Sequence, residues 1–221
     1  MLSLREFTDE FIQTKLQSFE GDDRTDEAVI QAIGKQNMDH TDREDHILRW
    51  LNKYRVLLFF PPEKSREIAG QIIEFADERS QAPLNQNKDL ILKEYERLRG
   101  RISRVAPLSP KSGKPREIIS LTSKALWCCY PHEIPIFDAY AERALQVISR
   151  LSRMMPSQSQ PEYACFIDVW FQVYQEVKPV IDQSNLNGYP YKIRVLDRLL
   201  WHLGQPSFES QRDTPPKLEG R

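Results

Sequence analysis

The chain is predicted to fold as an all-α protein, and three observations carry that expectation. Apolar residues recur at spacings of three and four in one window after another. No segment alternates convincingly with period two. The windows are joined by short loops rich in Pro, Gly, Asn and Ser. Eight or nine helices in a single globular domain over residues 1–204 follow, with a flexible tail over 205–221, where Pro, Ser, Asp, Lys and Gly dominate. A chain of 221 residues is long enough to bury a self-supporting core.

The first helix is predicted over Leu2 to Phe19, with Leu4, Phe7, Phe11, Leu16 and Phe19 near helix spacing. Residues 21–26 read as a loop, with Thr25 or Asp26 as the N-cap of a short helix ending near Ile33. Residues 39–42 form a second capping region. His46 to Phe60 is a strong helix carrying Ile47, Trp50, Leu51, Tyr54, Leu57 and Leu58, and Pro61-Pro62 breaks it. Pro62 also suits the first turn of a helix over Glu63 to Ser80. Another helix runs from Lys88 to about Val105, with Leu90, Ile91, Tyr95, Leu98 and Ile102 inward. Its outer side carries Lys93, Arg97, Arg101 and Arg104 as a basic stripe. The loop that follows adds Lys111, Lys114 and Arg116, which can contact phosphates by side chain, although a plain basic surface linker has the same composition.

Further on, Glu162 to Ile181 is a long helix with a row of aromatics from Tyr163 to Tyr174 that reads as core. Tyr191 to Leu203 closes the fold. Arg194 and Asp197, at i and i+3 within it, read as a local or interhelical ion pair.

The composition bounds the function. The chain is 40% apolar and 29% charged, with no apolar run long enough for a membrane helix and acids where a signal peptide needs bases. A soluble, cytoplasmic protein is expected, with no membrane partner. Three cysteines make neither a disulfide framework nor a metal site. Asp39, His40, Asp42, Asp45 and His46 are a conceivable metal cluster, but they lack any recognised ligand spacing and suit helix capping; no metal or cofactor is expected. The net charge of −1 hides an asymmetry, since residues 1–50 carry twelve acids against six bases and residues 88–124 ten bases against four acids. A basic segment of this kind is an electrostatic footprint for nucleic acid, and chance clustering on solvated helix faces is the competing reading.

That segment leads into the stretch Pro115 to Ile148. Ile118, Leu121, Ala125 and Cys128 mark a helix that Pro131 stops, with Lys124 at the edge of the apolar stripe, its stem buried and its amine in reach of something polar. Pro135-Ile-Phe then precedes Asp138, after which Ala141, Ala144, Leu145 and Ile148 restore helix period. Asp138 thus falls at a helix N-terminus, where a carboxylate caps free backbone N–H groups.

This order of lysine helix, short loop, Pro-hydrophobic-aromatic-Asp and helix resembles the catalytic core of the helix-hairpin-helix DNA glycosylases, and among them the bacterial 8-oxoguanine DNA glycosylase-like proteins. The resemblance implies two lobes around a cleft, DNA as partner, Lys124 as Schiff-base nucleophile and Asp138 as the carboxylate assisting at the sugar. Ser123 joins the basic residues as a candidate DNA contact. A flipped base needs an apolar or aromatic pocket, for which Trp127, Tyr130, Phe137 and Tyr140 are candidates, with core packing the competing reading of each. The four-cysteine iron–sulfur pattern of some glycosylases is absent. The stretch before Lys124, residues 118–123, also lacks the family's Gly-x-Gly turn. The alternative expectation is a non-catalytic helical module binding nucleic acid or protein, in a bacterial defence or mobile-element setting, with Lys124 and Asp138 as an ion pair tying two helices together.

Overall fold

A computed structural model of the chain describes residues 3–15, 20–35, 37–80, 82–108, 113, 116, 118–152, 162–184, 186 and 189–206. Among the described residues there are nine helices and no strand, so the protein is all-α. The predicted tail beyond residue 206, the break at 154–161, and Lys111 and Lys114 lie outside the described residues.

Helix α1 (Leu4–Thr14) starts on a capping box, Ser3 accepting from the Glu6 backbone while the Glu6 carboxylate accepts from the Ser3 N–H. Helix α2 (Glu20–Gly34) corrects the predicted loop at 21–26, because it runs through that segment. Asp26 caps nothing and is fully buried inside α2. Its carboxylate accepts from Trp50 Nε1 at 2.8 Å, Tyr189 Oη at 3.2 Å and Arg198 Nη2 at 3.3 Å. A residue that looks like a local cap has been claimed by tertiary donors.

Helix α3 (His40–Lys53) is capped by Asp39, which accepts from the Thr41 N–H. It begins and ends earlier than His46 to Phe60. After its C-cap Tyr54, Arg55 has φ 55°, and that left-handed residue takes the chain out of the helix. The apolar run beyond it is then divided by turns: Leu57 enters the core, whereas Leu58 and Phe59 are exposed. Helix α4 (Pro62–Glu78) has Pro62 at its first turn, and α5 (Lys88–Val105) is capped by Asn87, which accepts from the N–H groups of Asp89 and Leu90. Leu90, predicted inward, is exposed instead.

Helix α6 (Ile119–Cys129) is the centre of the molecule, packed by α2, α3 and α5. Every residue in it except Ser120 is buried. The spacing of Ile118, Leu121, Ala125 and Cys128 defined one apolar face, but Leu126, Trp127 and Cys129 bury the other. Trp127 stacks on Trp50 with ring centroids 5.4 Å apart. Helices α7 (Ala139–Ser152), α8 (Glu162–Gln183) and α9 (Lys192–Leu203) complete the fold, α7 against α9 and α8, and α1 against α8. One continuous apolar core draws residues from all nine of these helices. No described helix is long and apolar enough to cross a membrane.

Candidate functional site

The segment between α6 and α7 fixes the site. Residues 134–137 are buried and lie outside any helix; the Ile134 N–H donates back to the Tyr130 carbonyl at 3.2 Å, and side chains bind the polar backbone groups that follow. The Ile136 N–H donates to both Asp197 oxygens at 3.3 Å, the Phe137 N–H to Ser123 Oγ at 3.0 Å, and Tyr163 Oη donates to the Pro135 carbonyl at 2.9 Å. Helices α9, α6 and α8 thus each hold one point of the segment. Asp138 emerges from it and caps α7, its Oδ1 accepting from the Tyr140 N–H at 2.9 Å.

Lys124 reaches this segment from α6. Its Nζ donates to Ser120 Oγ at 2.7 Å and to the Phe137 carbonyl at 3.1 Å, and lies 3.5 Å from Asp138 Oδ2. The structure brings together the two residues that the sequence singles out. It places Lys124 deeper than expected, since the residue is only 2% exposed and every residue of α6 but Ser120 is buried. Burial drives the Lys124 pKa down to about 8, with Asp138 pulling upward and Arg194 adding to the fall.

Both side chains line a cavity of about 520 Å³, together with Lys53, Tyr54, Arg55, Ile136, Tyr140, Arg194, Asp197, Arg198 and Trp201. Asp197 accepts from Trp170 Nε1 at 2.9 Å and lies 3.7 Å from Arg194 Nη1. Burial raises its carboxyl pKa to about 7 against the pull of Arg194 and its N–H donors. Burial opposes the charge of Arg194, but Tyr54, Asp26 and Asp197 outweigh it and its pKa stays above the usual value.

The other predicted contacts disperse. Ser123 is fully buried, its hydroxyl spent on Ser120 and Phe137, so it meets no phosphate. Trp127 lies in the core against Trp50, Phe137 packs edge-on to Phe166, and Tyr130 is buried under Arg79; none of the three lines the cavity. The central position of α6 claims these rings for packing. Tyr140 alone of the four is at the cavity, with its ring 6.2 Å from that of Trp201.

Arg97 lies over Phe75 and pairs with Glu94, and Arg101 pairs with Glu74 and Glu78, so these two bases are engaged on α4 and α5. Arg104 is exposed, and Arg116 lies over the Phe60 ring at 5.2 Å. Among the described residues no group of His, Cys, Asp and Glu is arranged to hold a metal ion; Asp39 is a cap and His40 sits 3.5 Å from Glu44.

Sequence reasoning treated Arg194 and Asp197 as a plain ion pair and passed over Arg198. The available signal was three charges at i, i+3 and i+4 set among apolar residues, a spacing that puts them on one buried face. No family model, curated protein or solved structure matches the chain.

Proposed function

We propose that the protein is a DNA N-glycosylase with lyase chemistry, acting on a flipped damaged or modified base. The observation that carries the reading is the buried Lys124 amine, 3.5 Å from the Asp138 carboxylate at the wall of a cavity large enough for a nucleotide. An amine attacks only when unprotonated. A pKa of about 8 leaves a useful fraction of Lys124 neutral near physiological pH, whereas an ordinary lysine offers almost none.

In this reading Asp138 stabilises the positive charge that develops on the deoxyribose as the glycosidic bond breaks. The bonding pair of the C1′–N bond leaves with the base, which takes up a proton. The Lys124 Nζ lone pair forms the new bond to C1′. One Nζ proton is the one the departing base takes up; the C1′–O4′ bond then breaks with its electron pair and the second Nζ proton going to O4′, which leaves the imine, and loss of a C2′ proton can then expel the 3′ phosphate. The cap from Asp138 to the Tyr140 N–H and the pinned segment 134–137 hold the carboxylate in place before substrate arrives. The test is borohydride trapping on abasic or damaged duplex DNA. Wild type is expected to form a covalent complex and Lys124→Ala none; failure of wild type to trap, or undiminished trapping by the variant, discards the reading.

A second reading is favoured by the acceptors around Lys124. Ser120 Oγ, the Phe137 carbonyl and Asp138 together satisfy a charged ammonium, as a purely structural tie between α6 and the start of α7 requires. The protein is then a non-catalytic nucleic-acid-binding module. Its signature is salt-sensitive DNA binding that survives Lys124→Ala and weakens when Lys111, Lys114 and Arg116 are replaced.

A further inference from the structure

Asp197 is buried on α9, and its hydrogen bonds come from neutral donors. Its Oδ1 accepts from Trp170 Nε1 of α8 at 2.9 Å, and both oxygens accept from the Ile136 N–H at 3.3 Å. The Arg194 guanidinium stands 3.7 Å away, beyond hydrogen-bond length, and supplies charge rather than a bond. A neutral amide could accept from the same two N–H groups without the cost of burying an anion. The negative charge therefore answers to the cations around it.

The backbone that Asp197 holds is the backbone that meets Lys124. One residue after Ile136, the Phe137 carbonyl accepts from Lys124 Nζ at 3.1 Å, and Asp138 follows with its Oδ2 at 3.5 Å. Two of the Lys124 acceptors thus ride on the residues that follow Ile136, whereas the third, Ser120 Oγ, belongs to α6 itself. The charges run along the same path. After burial, which lowers the Lys124 pKa most, Asp138 raises it, Arg194 lowers it and Asp197 raises it. Burial lifts Asp197 to about 7 against the pull of Arg194, the Ile136 N–H, Trp170 and Lys124, so the carboxylate is mostly ionised where the amine titrates. The other charged or titratable groups on this ground are Arg198 on α9, Tyr163 on α8, Tyr140 on α7, and Lys53, Tyr54 and Arg55 across the cavity.

We propose that Asp197 is a positioning residue for Lys124: its grip on Ile136 holds the Phe137 carbonyl and the Asp138 carboxylate against the amine, and its charge offsets that of Arg194 there. The consequence for catalysis rests on the glycosylase reading, whereas the hold on the amine does not.

The test follows the Asp197 carboxyl, the Ile136 amide and the Lys124 side chain of the full chain by NMR against pH. In wild type the Ile136 amide and the Lys124 side chain are both expected to show an inflection at the Asp197 midpoint, near 7, and the absence of either overturns the proposal. Asp197→Asn keeps an acceptor for the Ile136 N–H and removes the charge. Arg194 then acts unopposed, and the Lys124 midpoint is expected to fall by about half a pH unit or more, about threefold in proton affinity. Adding Arg194→Met to Asp197→Asn removes the opposing charge and is expected to bring the midpoint back toward wild type. A merely structural carboxylate predicts neither the fall nor the return, so an unmoved or raised midpoint in Asp197→Asn, or no return in the double variant, overturns the proposal. Should a variant fail to fold, the two wild-type inflections decide. A lowered midpoint without imine trapping by wild type discards the glycosylase reading and keeps this one, while trapping with an unmoved midpoint does the reverse.

Discussion

At the scale of single residues, the proposed chemistry depends on the protonation of Lys124. Its folded pKa lies at about 8 and its ordinary value at 10.5, so between these limits the unfolded chain binds more protons than the native one. Stability contributed by Lys124 therefore rises with pH across that window, by at most about 1.4 kcal/mol per pH unit. The buried thiols of Cys128 and Cys129 act in the opposite sense above their ordinary value of 9.0, because burial raises both. The Lys124 contribution is thus read as a difference: urea denaturation of wild type and Lys124→Met across the window is expected to show a more positive pH slope in wild type, and equal slopes would refute a depressed amine. In the proposed reaction Asp138 has a separable role. Asp138→Asn keeps an oxygen for the Tyr140 N–H but loses the charge, so base release is expected to fall by about a hundredfold or more while trapping on abasic DNA persists. A parallel loss of both activities would remove Asp138 from the glycosidic step.

At the scale of elements, the fold depends on polar groups taken into the core. Asp26 of α2 joins α3, α9 and the Tyr189 segment through Trp50, Arg198 and Tyr189. Asp26→Ala strands a buried guanidinium and is expected to cost about 3–5 kcal/mol of unfolding free energy in urea, against less than about 1 if the hub is incidental. Helix α9 meets α7 just as closely. A Cβ on Gly204 would lie 1.9 Å from the Tyr140 carbonyl oxygen, a backbone atom that cannot swing away. Gly204→Ala is expected to destabilise by about 1–3 kcal/mol in urea denaturation, and an unchanged midpoint would contradict the close approach. The helices themselves were legible because periodicity and prolines mark them: α5 lies over the predicted Lys88 to Val105, and α9 starts one residue after the predicted Tyr191. The errors fell where distant partners decide. Asp26 has the chemistry of a cap, and only the fold shows that tryptophan, tyrosine and arginine side chains have claimed it. Nothing local marks Arg55 as left-handed, so the apolar period carries the expected helix past the true end of α3 at Lys53.

For the whole molecule, the all-α class was legible from period alone, and the meeting of Lys124 and Asp138 from the short proline-bracketed loop between their helices. The surroundings of the pair were not. Which helix lies at the centre depends on the packing of all nine, and the central place of α6 turned Trp127, Tyr130 and Phe137 into core and buried Ser123. It also let α9 bring Arg194, Asp197 and Arg198 to a cavity otherwise built by α3, α6 and the start of α7. The depressed amine of Lys124 and the charged groups around it are therefore products of one packing arrangement. The most direct test of that claim is a pH titration of the Lys124 side chain, followed by NMR of its Cε and Nζ, with Lys124→Met used to assign the resonance. A midpoint near 8 is the expected result. A midpoint at the ordinary lysine value of 10.5 would contradict the account, because an amine that stays charged throughout the neutral range attacks nothing.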